Sequence, residues 1–306
     1  MIKTYECLII GSGPCGISTA INLKKAGVDV AIIERGVPGG KVNIAPRVDN
    51  YPGKFQIPGP ELAMDFYKRM LASDVELIGD EVIELKKEGD DFAVICSEQS
   101  YYAKAVVIAC GTKERKLGLE KEDELLGHGI SYCALCDGHF FKNKDILVCG
   151  GGNSALKEAI YLSNLANHLT LIHRRNEFRG AAKLVDELKS KTNVTILTPY
   201  IPNQIIGEDK VEGVEITNRE TGEKLIIKCD GFFPLVGQIP NTQFVKIENV
   251  LDEYGTIPVD KAHMSNTKGI FAGGDILPRE IRQIYLAEHD GMTISKSVIA
   301  YLGKGE

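Results

Sequence analysis

The sequence predicts an α/β protein built on two Rossmann-like, doubly wound dinucleotide-binding domains of the three-layer ββα type. Three observations point there. A GxGxxG turn follows an apolar, β-rich run near the N-terminus, and a GxGxxA turn follows another near the middle of the chain. Each turn leads into helix-patterned sequence and a second apolar run. Each of these units is then followed by a meander of short β-rich stretches, at residues 82–111 and 204–237, ending in an apolar run and a glycine.

In the first unit the run Cys7–Ile10 ends in Gly11-Ser12-Gly13-Pro14-Cys15-Gly16. Ile17, Ala20, Ile21 and Leu23 then mark the apolar side of a helix that Gly27 closes, and a second strand ends at Glu34. Strand, glycine turn, helix, strand and terminal acid are the elements a dinucleotide site needs. The glycines let the backbone approach a pyrophosphate, the helix N-terminus offers it free N–H groups, and Glu34 is placed to accept from a ribose diol.

The second unit repeats the plan over residues 145–179. Its strand ends in Gly150-Gly151-Gly152-Asn153-Ser154-Ala155, and 23 residues separate Gly150 from His173 just as 23 separate Gly11 from Glu34. The equal spacing marks a second copy of the unit. Its strand end differs: His173 replaces the acid, with Arg174, Arg175 and Arg179 following. A carboxylate there would repel a 2′-phosphate, whereas guanidinium groups bind it with paired charge-assisted bonds, so this unit is expected to take NADP(H).

The chain has 306 residues, 43% of them hydrophobic, and a net charge of −6, which argues against a nucleic-acid footprint. No apolar run approaches membrane-span length, and the N-terminal run enters a glycine turn directly rather than reading as a signal peptide. A cytoplasmic protein with reduced thiols is therefore expected. Most of the eight cysteines lie in strand-like runs and read as small buried hydrophobes.

Cys133 and Cys136 are different, being paired in the stretch SYCALCDGHF. Cys-x-x-Cys alone is compatible with half a zinc site, a bystander dithiol or a redox pair. Zinc wants a second ligand pair nearby, and His128 and His139 lack ligand spacing, so no metal is expected. The flanking nucleotide motifs favour the redox reading.

With these motifs in order the chain resembles the low-molecular-weight thioredoxin reductases, flavoproteins with two dinucleotide domains. The resemblance spans nearly the full length and is carried by GSGPCG, Gly39-Gly40, VDNYPG (48–53), CALCDG (133–138), GGGNSA (150–155), HRRNEFR (173–179), GQIPNT (237–242), GIFAGGDI (269–276) and Arg282-Gln283. It implies FAD in a discontinuous domain, residues 1–112 plus 245–306, and NADPH in an inserted domain, residues 113–244, that carries the cysteine pair. By the same carry-over Gly274 and Asp275 would serve the flavin's ribityl chain, and Asn50 and Gln283 the flavin or its surroundings. Gly39, Gly40, Lys41 and Arg282 would line the FAD site, and Gly151–Ala155 the NADPH site. Cys136 would face the isoalloxazine, Cys133 would attack the disulfide of thioredoxin, and Asp137 would move the proton. The resemblance further implies a homodimer and a rotation of the inserted domain, hinged near 112–117 and 239–245. Other disulfide-bearing proteins are the runner-up substrates, followed by a ferredoxin-linked or flavin-oxidising relative and, from another class, a non-catalytic nucleotide sensor.

The sequence departs from the family pattern in three places. Lys41 stands where glutamine is usual, VNIAPR replaces a threonine run, and His139 stands where an apolar residue is usual. A cation at position 41 near the flavin is expected to stabilise its reduced anion and raise its potential.

Overall fold

The computed structural model describes residues 3–45 and 47–304. Met1, Ile2, Pro46, Gly305 and Glu306 lie outside the described residues, and with them the outer ends of the expected FAD domain and one residue of the VNIAPR run. The chain opens with β1 (Lys3–Ile10), α1 (Pro14–Lys25), β2 (Val30–Glu34), α2 (Gly59–Leu71), β3 (Glu76–Gly79), β4 (Val82–Glu88), β5 (Asp91–Cys96), β6 (Ser100–Ile108) and β7 (Thr112–Glu114). It continues with α3 (Ala134–Asp137), β8 (Asp145–Cys149), α4 (Asn153–Ser163), β9 (His168–Ile172), α5 (Ala182–Lys189), β10 (Val194–Leu197), β11 (Tyr200–Ile206), β12 (Gly213–Asn218), β13 (Lys224–Lys228), β14 (Gly231–Pro234) and β15 (Gln238–Pro240). It closes with β16 (Ile270–Ala272) and α6 (Ile284–Tyr301).

Two compact units result. One holds residues 1–113 and 239–306, and the other, residues 114–238, is inserted between them. The chain crosses at β7 and at β15, which pair with each other as a two-stranded ribbon. Residues 239–244, expected from the sequence to close the inserted domain, cluster with the discontinuous unit. Asn241 is bonded there: its N–H reaches the Gly111 carbonyl at 3.0 Å and its side-chain amide the Cys110 carbonyl at 3.0 Å.

In the discontinuous unit a sheet runs β3-β2-β1-β6-β5-β4, with β1, β2, β3 and β6 mutually parallel. Along the edge away from β1, β6 carries two partners in succession. Its first half pairs antiparallel with β5, and its last three residues pair in parallel with the returning β16. Alternate residues of β1 face opposite layers, as strand geometry requires. Cys7 and Ile9 pack with α1, α2 and α6, whereas Leu8 and Ile10 pack with β5 and the 245–277 segment. Burial on both faces explains why the strand reads as a continuous apolar run rather than an alternating one.

The inserted unit repeats the layering. Its sheet runs β10-β9-β8-β14, all parallel, the same third-second-first-last order. Ile146, Val148 and Phe233 face α4 and α5, while Leu147, Cys149 and Phe232 face the antiparallel sheet β11-β12-β13. One difference separates the copies: the strand continuous as β6 is broken here at Cys229-Asp230 into β13 and β14, so the meander forms a sheet of its own. The expected three-layer fold, with one unit inserted in the other, is what the chain adopts.

Phe233 is fully buried and meets Phe141 edge-on at 5.2 Å. Phe233→Ala is expected to cost about 3–5 kcal/mol of stability by urea unfolding of the whole chain. A loss below about 1 kcal/mol would show that this contact does not organise the inserted unit's core.

Candidate active site

The first glycine turn is shaped by backbone proximity. Gly11 has φ +103°, and a Cβ there would lie 2.5 Å from the Ala109 carbonyl oxygen, so no other residue fits. Gly13 precedes α1 without any side-chain cap, and Pro14 opens the helix. The first-turn N–H groups therefore point at the turn without a protein acceptor, the arrangement that suits an anion. Ser12 is fully buried, and both its N–H and hydroxyl donate to Glu34 Oε2, at 2.9 and 2.8 Å. Glu34 Oε1 accepts the Gly36 N–H at 2.8 Å. The strand-end acid thus closes the turn, and Oε1, which accepts a single bond, keeps a lone pair for a ligand hydroxyl. A cleft opens beside it, lined by Gly11, Glu34, Arg35, Cys110, Asn241 and Phe244 among others. It lies at the carboxyl ends of the parallel strands, where α/β sheets bind nucleotides.

Further along this unit, the other sequence-selected residues are bonded to one another. The Gly39 N–H donates to the Ser12 carbonyl at 2.8 Å. In the short turn Gly40–Ile44 that follows, Lys41 donates to the Thr112 hydroxyl at 2.9 Å and lies 3.8 Å from Asp275 Oδ2. Arg282 Nε donates to the Asp275 carbonyl at 3.1 Å, and the Asn50 amide donates to Gln283 Oε1 at 2.9 Å. Beneath Gly274 lies a network that sequence reasoning did not select. Asp290, only 4% exposed, accepts the Gly274 N–H at 2.8 Å and pairs with Arg279. Arg279 also donates to the Gly274 carbonyl at 3.0 Å, and His263 Nε2 lies 3.7 Å from Asp290.

In the inserted unit α4 likewise starts at an uncapped glycine, Gly152. Asn153 Oδ1 accepts the Ala181 N–H at 2.8 Å, and the Arg179 and Gly180 N–H groups donate to the Gly151 carbonyl at 3.0 and 3.1 Å. Ser154 is exposed on the first turn and Ala155 is buried under it. These bonds dock the basic loop on the glycine turn. Arg174, Arg175 and Arg179 are exposed, but His173 is not grouped with them. Its ring is 8% exposed, stacked 5.0 Å from Phe178, and a Cβ on Gly151 would lie 2.3 Å from it. Burial lowers its pKa, so the imidazole is neutral where the arginines are charged. It supports the turn from below.

The cysteine pair is closed as a disulfide with Cα atoms 5.3 Å apart. Both residues are half-buried. Cys133 caps α3, its sulfur accepting the Cys136 N–H at 3.2 Å. Ser131 donates to Asp137 Oδ2 at 2.6 Å and accepts the Cys133 N–H at 3.1 Å. Glu158 on α4 accepts the Ala134 N–H at 3.0 Å. Neither Ser131 nor Glu158 was selected from the sequence. Ser131 adjoins the motif and was within reach, whereas only the packing of α4 brings Glu158 to it. The other six cysteines are free. Burial pushes Cys15, Cys96, Cys110, Cys149 and Cys229 up to about 12 and raises Cys7 as well. They stay protonated and unreactive.

His173 and His263 both titrate below the ordinary histidine value, chiefly through burial. As pH falls through about 6.5 the unfolded chain takes up these protons first. Stability is therefore full above that pH and is lost toward pH 5. In thermal melts, His173→Gln/His263→Gln should show a smaller drop between pH 7 and pH 5 than the unaltered protein, and an equal drop would exclude both residues as the cause.

A family model described as pyridine nucleotide-disulphide oxidoreductase matches residues 5–291. The chain is 40% identical over 291 residues to thioredoxin reductase of Mycoplasma genitalium, covering 94% of this chain and 92% of that protein. It is 37% identical over 302 residues to thioredoxin reductase of Listeria innocua, covering 98% and 94%. The crystal structure of thioredoxin reductase from Streptococcus pyogenes matches it with a TM-score of 0.93 at 40% identity, with all of both chains covered. Two uncapped glycine turns, an exposed arginine cluster and a closed cysteine pair are thus held in a shared framework, and this chain belongs to the pyridine nucleotide-disulphide oxidoreductase family, on the branch of the low-molecular-weight thioredoxin reductases.

Proposed function

We propose that this protein is an NADPH-dependent flavoprotein that reduces the disulfide of thioredoxin. FAD is assigned to the discontinuous unit and NADPH to the inserted one. The observation that carries the reading is the Cys133–Cys136 disulfide, half-buried and supported on both sides within the unit that also bears the arginine cluster. The residues fit the two cofactors: each glycine turn leaves helix N–H groups for a pyrophosphate, and Glu34 Oε1 retains a lone pair for a ribose hydroxyl. Gly16 completes the first turn, and Gly40, Lys41, Asn50, Gly274, Asp275, Arg282 and Gln283 complete the flavin side. Arg174, Arg175 and Arg179 supply the charge for a 2′-phosphate, with His173 as their prop rather than a fourth cation.

When bound, the flavin accepts a hydride from NADPH and passes two electrons to a disulfide. The chain's own residues do the rest. Reduction opens Cys133–Cys136. The sulfur of Cys133 already accepts an N–H, which favours its thiolate and supports its reading as the attacking thiol. It attacks the partner's disulfide and expels one partner thiolate. Cys136 then attacks Cys133, re-forming the internal disulfide and expelling the second. Asp137, oriented by the Ser131 hydroxyl, delivers the proton that the leaving sulfur takes up. The balance is NADPH + H⁺ + oxidised thioredoxin giving NADP⁺ + reduced thioredoxin. Presenting the pair first to flavin and then to a protein requires the inserted unit to rotate about its two crossings, and a cross-link through engineered cysteines that left turnover intact would exclude this. The same reading makes the protein a cytoplasmic homodimer, which sedimentation of the purified protein checks for oligomeric state.

The protein should be yellow and bleach anaerobically with NADPH. Cys133→Ser and Cys136→Ser should each abolish thioredoxin-dependent insulin reduction while bleaching continues; retained insulin reduction in either variant would overturn the reading. Arg175→Ala should raise the KM for NADPH about 10–100-fold, the scale of one charge-assisted contact, and leave NADH unchanged. Lys41→Gln should lower the flavin potential, measured by dye-coupled titration, and no change would mean that the Asp275 pairing cancels the cation's field.

A further inference from the structure

Glu122 is a carboxylate buried to 2% exposure that none of the sequence motifs includes. Its hydrogen bonds run to neutral donors. Oε1 accepts the Leu117 N–H at 3.0 Å and the Tyr132 hydroxyl at 2.6 Å, and Oε2 accepts the Gly118 and Leu119 N–H groups at 2.8 and 3.2 Å. Four donors on two oxygens satisfy a group that would be costly to bury otherwise. Burial and the carboxylate together raise the Tyr132 pKa, so its hydroxyl remains the donor at working pH.

The placement of these bonds connects them to chemistry. Tyr132 is joined by a peptide bond to Cys133. The stretch 131–134 is then held from three directions: Ser131 by its bonds to Cys133 and Asp137, Ala134 by Glu158, and Tyr132 by Glu122. Leu117–Leu119, the far side of the Glu122 clamp, lie just after the first crossing into this unit. One carboxylate thus ties the start of the unit to the residue before the first sulfur. We propose that Glu122 is a positioning residue for the redox pair, acting through Tyr132 to hold Cys133 against Cys136. The inference rests on the function proposed above and adds a determinant of how strongly reducing the dithiol is.

The physical link is effective concentration. A dithiol whose backbone is pinned with the sulfurs close closes readily to the disulfide, which makes the reduced form a stronger reductant. Freeing Tyr132 lets the reduced stretch explore more conformations, so the disulfide becomes less favoured and the potential rises.

The test uses the holoenzyme equilibrated with dithiothreitol redox buffers, quenched by alkylation and counted for free thiols by mass. Tyr132→Phe keeps the ring and removes only the hydroxyl. It should shift the dithiol–disulfide equilibrium about three- to tenfold toward the dithiol, a tenfold shift being about 30 mV. Flavin bleaching by NADPH should stay within about twofold of the unaltered enzyme, because a local loosening of the pair leaves hydride transfer to the flavin untouched. Glu122→Gln, which keeps shape but exchanges one acceptor oxygen for a donor, should shift the equilibrium the same way and at least as far; it also decides the matter if Tyr132→Phe does not fold. An equilibrium unchanged in folded variants overturns the proposal. An unaltered protein that is colourless or inactive toward thioredoxin would instead overturn the functional reading beneath it.

Discussion

Two turns where a parallel strand gives way to a helix govern the nucleotide ends of this molecule. The turn at Gly11 passes so close to Ala109 that a side chain is excluded, and the acid at the end of the next strand then locks it by taking both donors of Ser12. Because no side chain caps the helix that follows, its first N–H groups remain a site for negative charge. The second unit solves the same problem with different parts. There the strand-end residue is an imidazole that packs under Gly151, and the turn is secured by the backbone of the basic loop. Beside this ring, Arg174, Arg175 and Arg179 face solvent as the local charge.

The redox pair depends on a different kind of constraint. A four-residue helix has little stability of its own, so the geometry of two cysteines on it has to come from outside. Ser131, Tyr132 with Glu122, and Glu158 supply it through hydrogen bonds to groups that flank the sulfurs on the chain. None of these residues is positively charged. An N–H favours the Cys133 thiolate, and these residues supply orientation.

The remaining thiols illustrate how burial sorts chemically identical residues. Five of the six other cysteines are buried and Cys110 is partly so, and desolvation raises the pKa of every one. Cys15 sits inside the first glycine turn yet packs against Gly273. It contributes volume where helices α1 and α6 meet the sheet.

Periodicity and glycine placement alone determined the two repeated units and their meanders, because those signals are local: a strand buried on both faces is continuously apolar, and a turn that admits no Cβ must be glycine. The Cys-x-x-Cys spacing was equally visible, but its redox reading rested on the flanking nucleotide motifs and on the family resemblance. Spacing likewise marked His173 as the counterpart of Glu34. Only the tertiary structure decided that this histidine lies beneath its turn, that residues 239–244 fold with the discontinuous unit, and that Asp290, Arg279, Glu122 and Glu158 support the sites. Each of those facts joins residues distant in sequence or buries a polar group among neutral donors, and a buried carboxylate on backbone N–H groups looks, in sequence, the same as one facing water.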